Sequence, residues 1–180
     1  MRPLLTALFA CLIAMPATAQ EWPSQTIRIV VGFTPGGSSD LVARLIAPAV
    51  SEDLGVPVIV ENMPGAASTI AAAHVAEAES DGYTFFLSNV SASSIAPFTY
   101  SDLSYDPVKD FDDVSILGYI PAVLIASPAS GVETLDQFKE LASGSNSLLF
   151  GTGGHGTMNH ITGELLKLKA GLNLEHGAYK

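Results

Sequence analysis

Residues 26–32 read TIRIVVG, a short apolar run rich in β-branched side chains. Such a run predicts a strand buried on both faces. Pro35, Gly36 and Gly37 break it, and Ser38 or Ser39 is placed to cap the helix that follows, with Asp40 in its first turn. Val42, Leu45, Ile46 and Ala49 recur at helical spacing and predict one apolar stripe. Gly55 ends that helix, and residues 56–61, VPVIVE, predict a second buried strand. After the turn Asn62-Met63-Pro64-Gly65, the alanine-rich residues 67–78 predict another helix. Ser80-Asp81-Gly82 leads into a third strand over residues 83–88. Strand and helix alternating in this rhythm predict a parallel sheet.

The pattern then changes. Asp102, Asp106, Asp110, Asp112 and Asp113 face only Lys109 in an irregular stretch. A calcium loop needs oxygen ligands at fixed offsets and a central glycine, which the stretch lacks, so a solvated acidic surface is expected. Residues 114–127 are apolar, interrupted by Gly118 and Pro121, and predict two short strands crossing between lobes. Residues 133–142 predict a helix and 147–150 a strand. The glycine run Gly151-Thr152-Gly153-Gly154-His155-Gly156 precedes a helix starting at Thr157, with Met158, Ile161, Leu165 and Leu168 as its expected buried stripe and Lys167 and Lys169 in its last turn. Residues 172–180 predict a further strand. The expected fold class is α/β: two lobes of parallel-rich sheet flanked by helices, with 20–120 expected as the first lobe and 121–180 as part of the second.

Composition narrows the function. The 180 residues are 48% hydrophobic and 14% charged, with a net charge of −10. That is globular, and the absence of a basic patch argues against nucleic acid as a partner. Residues 1–19 carry one basic residue, Arg2, an apolar run of about a dozen residues, Pro16 and then Ala17-Thr18-Ala19. This predicts an export signal cleaved after Ala19; a retained anchor would need about 20 apolar residues. Cleavage removes Arg2 and Cys11, leaving seven basic residues against 18 acidic and no thiol. No disulfide, thiolate metal site or cysteine nucleophile is then available.

Two glycine loops carry the chemistry. Residues 35–39 and 151–157 each follow a strand and open a helix. Helix starts present unpaired N–H groups and the positive dipole end, and glycine lets a ligand approach the backbone. One such end per lobe suits a small anion at the carboxyl ends of the strands. Neither loop contains Lys or Arg, so backbone amides and the hydroxyls of Ser38, Ser39, Thr152 and Thr157 would hold it.

Other chemistries fit less well. Gly151, Gly153 and Gly156 satisfy G-x-G-x-x-G, and Glu175 lies nineteen residues on, but a dinucleotide fingerprint belongs on the first strand of its domain. His155 and His160 are five apart with no third ligand evident in the sequence, so neither metal nor cofactor is expected. His160 is expected to hydrogen-bond the glycine loop, and Asp40 to brace its own loop rather than act as a base. No G-x-S-x-G elbow or triad order appears, and no catalytic residue is assigned. Phe33 suits either cleft or core. Ser88, Asn89 and Ser91 follow the third strand's carboxyl end and suit either ligand contact or loop filling.

The segments IRIVVGFTPGGSSDLVAR, VIVENMPGAAS, SDGYTFFLSN, YDPVKDF and FGTGGHGTMNHITGELL occur in this order. Together they resemble the TctC/Bug-type substrate-binding proteins of tripartite tricarboxylate transporters, over all of residues 22–180. The resemblance implies a periplasmic two-lobed receptor that captures a small carboxylate and delivers it to membrane permease subunits, without catalysis and as a monomer when complete. It implies ligand contacts from Phe33, Gly36, Gly37, Ser38, Ser39 and Asp40, from Ser88, Asn89 and Ser91, and from Thr152, Gly153, Gly154, Gly156, Thr157 and His160. Family members are longer, so the second lobe is expected to be incomplete. An exported nucleotide-dependent enzyme using residues 151–156, or a truncated remnant without function, are the alternatives.

Overall fold

The computed structural model describes residues 21–179, so the expected export signal lies outside the described residues. The first sheet has three strands, β1 (Ile27–Val31), β2 (Val58–Asn62) and β3 (Thr84–Leu87), in the order β2-β1-β3 and all parallel. Helix α1 (Ser38–Leu54) joins β1 to β2, and α2 (Thr69–Ala76) joins β2 to β3. The parallel sheet expected from the alternation is present.

Central β1 is buried on both sides. Ile29 and Val31 pack against Ala43 and Ala47 of α1. On another face, Phe86 of β3 packs with Ala72 of α2, Ala92, Tyr105 and Phe111. Val30 and Val31 are fully buried, each contributing about 1.5–3 kcal/mol. The acidic stretch is surface, as expected, yet Leu103, Tyr105 and Phe111 tie it to the core, and the Tyr105 hydroxyl donates to the Ala92 carbonyl across 2.7 Å.

Strand β2 is an edge strand and only half-buried, not the fully buried strand its composition suggested. The expected stripe on α1 is also displaced. Ala43 and Ala47 are buried, whereas Leu45 is 78% exposed. Small side chains let the helix approach the sheet closely, and the bulkier Leu41 and Leu45 point away.

The second sheet pairs β4 (Leu148–Thr152) with β5 (Leu174–Ala178), again parallel. A short helix, α3 (Ala96–Thr99), ends the first unit. Helices α4 (Leu135–Ala142) and α5 (Met158–Ala170) flank the second sheet around Ala142, Leu172 and Leu174. A capping box starts α4: Thr134 accepts from the Gln137 amide, and the Gln137 side chain accepts from the Thr134 amide. On α5 the expected stripe is again rotated, since Met158, Leu165 and Leu168 are exposed. The helix packs through Leu166 and Gly163, and a Cβ at Gly163 would lie 2.2 Å from the Phe150 ring.

Residues 114–127 form no strand. A strand needs a neighbour to complete its ladder, and among the described residues none runs alongside; Val114, Ile116, Tyr119, Val123 and Ile125 are exposed. No described helix is long and apolar enough to cross a membrane.

Candidate functional site

The carboxyl ends of β1, β2 and β3 meet at one edge of the first sheet. After β1 the chain passes Gly32, where a Cβ would sit 1.7 Å from the Ser68 Oγ, so only glycine fits. Phe33 is half-buried, and its carbonyl accepts from the Asn62 side-chain amide at 3.0 Å. Gly36 adopts φ +84, and its amide donates to Asp40 Oδ2 at 2.8 Å. Arg44 Nε donates to both Asp40 oxygens at 3.0 Å, and Asn62 Nδ2 donates to Oδ1 at 2.9 Å. Arg44, then the Gly36 amide and Asn62, lower the Asp40 pKa to about 2. Asp40 is therefore ionised and a feeble base at neutral pH, and it braces its loop as expected.

One expectation is corrected here. Neither Ser38 nor Ser39 caps α1; the N-cap is Gly37, with no side-chain cap, and both serines lie in the first turn. Ser39 is buried and Ser38 exposed. Asp40 is committed to Gly36, Arg44 and Asn62, so no side chain of the loop fills the helix start, where first-turn amides lack intrahelical partners.

The turn before α2 is unusual. Ala66, Ala67 and Ser68 have φ of +44, +53 and +79, left-handed values that cost roughly 1–2 kcal/mol per non-glycine residue. Consequently α2 starts at Thr69, later than expected. Buried Ser68 accepts from Asn89 Nδ2 at 2.9 Å. Asn89 Oδ1 accepts from the Ala92 amide at 3.2 Å, so Asn89 ties two loops together. Ser88 is exposed. Ser91 is buried in a π-helical turn, and its hydroxyl accepts from the Met158 amide at 3.1 Å, joining the first unit to the start of α5.

The second glycine loop differs from the first. Thr157 caps α5 by accepting from the His160 amide at 3.3 Å, and its hydroxyl donates to the Gly154 carbonyl at 2.8 Å. The Gly156 amide donates to His160 Nδ1 at 3.2 Å, the loop contact expected of that histidine. Gly153 is open, with nothing within 4 Å of a Cβ built there. Thr152 is buried, and its hydroxyl lies 2.6 Å from His176 Nε2. Burial, then His160 and His155, push the His176 pKa down, opposed by Glu164.

The predicted residues thus fall into two groups. Phe33, Gly36, Gly37, Ser38, Ser39 and Asp40 surround the α1 start; Thr152, Gly153, Gly154, Gly156, Thr157 and His160 surround the α5 start, and Ser91 bridges to the latter. Arg44, Asn62, Ser68 and His176 also belong to these networks; Arg44 is legible as the i+4 partner of Asp40, whereas the other three carried no local signal. Two surface concavities lie elsewhere, one along α5 at Ile161 and Leu165, the other beside Tyr100 and Tyr105.

Parallel α/β units with glycine-loop helix starts at their strand ends define a ligand-binding class of fold. A family described as "Tripartite tricarboxylate transporter family receptor" matches residues 42–180, and the chain belongs to it. A UPF0065 protein of Bordetella bronchiseptica is 38% identical over 181 residues, covering 99% of this chain and 53% of the relative. MatC from Rhodopseudomonas palustris, solved with bound malate, is similar at TM-score 0.80 and 31% identity, over 88% of this chain and 54% of that one. A second R. palustris protein, solved with adipate, gives TM-score 0.76 and 28% identity, over 89% and 54%. The chain spans about half the length of the curated relatives it matches.

Proposed function

We propose that this chain belongs to an extracytoplasmic receptor that captures a small carboxylate and passes it to membrane permease subunits. The observation that carries this reading is the start of α1. Its amides face no capping side chain, and the nearby acid, Asp40, is turned into its own loop and held by Arg44. A carboxylate there would complete the helix start without a lysine or arginine. On the second unit, the ligand would approach Gly153 and the α5 start, where the Ser91 hydroxyl now accepts from Met158. The residues proposed to bind are those named above, with residues 20–120 as one lobe and 121–180 as part of the other. Malate and adipate in the two structural neighbours support a carboxylate of that size.

A thermal-shift panel of dicarboxylates, tricarboxylates, amino acids and NAD tests the reading. A ligand at one hundred times its Kd stabilises by about 2.7 kcal/mol. Stabilisation by carboxylates alone supports the receptor. Stabilisation by NAD alone, or a flat response, overturns it.

A further inference from the structure

We propose that His155, His160 and His176 form a site for one borderline divalent cation, of the Zn2+, Co2+ or Ni2+ kind. The three lie on different elements: the second glycine loop, the first turns of α5, and β5. The parallel register that sets Phe150 opposite His176 brings the last of them beside the loop. Their ring centroids are 4.0–5.3 Å apart. One nitrogen from each ring lies within 4.8 Å of one from each of the others. Around a tetrahedral ion with metal–nitrogen bonds of about 2.0–2.1 Å, ligand nitrogens sit roughly 3.3 Å apart, so the rings need close by only about 1.5 Å. His155 is exposed, its ring edge-on to those of His160 and His176.

The hydrogen bonds favour ligation. With Nε2 protonated, His176 donates to the Thr152 hydroxyl at 2.6 Å, and that hydroxyl also accepts from the Gly154 amide at 3.3 Å. That leaves the His176 Nδ1 lone pair, which is buried and has no hydrogen-bond partner. An imidazole whose other nitrogen is fixed by an outer hydrogen bond is the usual state of a metal-bound histidine. His160 carries its lone pair at Nδ1, where the Gly156 amide donates across a long 3.2 Å; the ion would take that lone pair instead. The net charge of −10 draws cations. Three imidazoles leave a fourth position for water or an anionic oxygen.

The test uses the full chain without a polyhistidine tag. Co2+ is titrated and followed by visible absorption, and Zn2+ affinity is measured by competition with a chromophoric chelator. One equivalent should bind with a tetrahedral Co2+ spectrum. His155→Ala, at an exposed position, should weaken binding at least tenfold with an unchanged melting curve. Thr152→Val, which removes the outer hydrogen bond, should weaken it about 10- to 100-fold. His74→Ala, on α2, should change nothing. Absence of stoichiometric binding, wild-type affinity in His155→Ala, or an equal loss in His74→Ala would overturn the proposal.

Discussion

Valine at Gly37 or Gly153 separates binding from folding. Gly37 has φ −73 and ψ 167, extended backbone that valine adopts readily, and a Cβ there meets only the Thr34 carbonyl at 3.4 Å. Gly153 has open space. Gly36 and Gly154, at φ +84 and +128, would strain with any side chain and make poorer probes. Valine for glycine at the α1 N-cap costs about 1 kcal/mol, and at Gly153 under about 0.5 kcal/mol. For a fold of this size that is a Tm change of at most about 4 °C. The branched side chain denies a carboxylate close approach to the loop amides. Each amide bond lost to an ionised group is worth about 1.5–3 kcal/mol, or roughly 10- to 150-fold in affinity. Isothermal titration with the carboxylate selected by the panel, beside calorimetric melts, reads both quantities. Wild-type affinity in both variants would refute the amide cradle. Melting temperatures lowered by more than about 10 °C would refute the claim that these positions lie free of the fold.

Other consequences follow from the same contacts. Gly32→Ala should destabilise by about 2–3 kcal/mol in chemical denaturation, because its Cβ meets Ser68; adding Ser68→Gly should restore part of the loss, and additive effects would contradict the clash. Ala67→Gly, at φ +53, should raise Tm by about 2 °C through relief of left-handed strain. The Asp40 pKa of about 2 lies below its ordinary value of 3.8. Its ionised form thus stabilises the fold fully above about pH 4, and that contribution disappears as pH falls through about 2. Melts between pH 6 and pH 2 should show this loss, and Asp40→Asn should lower Tm at pH 6 while flattening the acid limb.

Local features were legible in the sequence. The β-branched run of β1, the glycine loops and the Thr157 start of α5 depend on near neighbours, as do the Asp40–Gly36 and His160–Gly156 bonds, each four residues apart. Helix faces were misread because leucine and methionine periodicity marks bulk, whereas Ala43, Ala47 and Gly163 make the close approaches. Residues 114–127 looked like strands because apolar composition cannot show whether a partner strand exists. Asn62, Ser68 and His176 were invisible as site residues, since register and long-range folding set their positions. His176 in particular turns an unpromising histidine pair into a three-nitrogen cluster.

The central claim concerns which groups touch the ligand, and amide resonances report that directly. A 15N-edited NMR titration of the chain with the carboxylate selected by the thermal-shift panel should move the amides of residues 36–40 and 153–158 most, saturating together. Stationary loop amides, with the largest changes at Arg44 or the lysine side chains, would contradict the account.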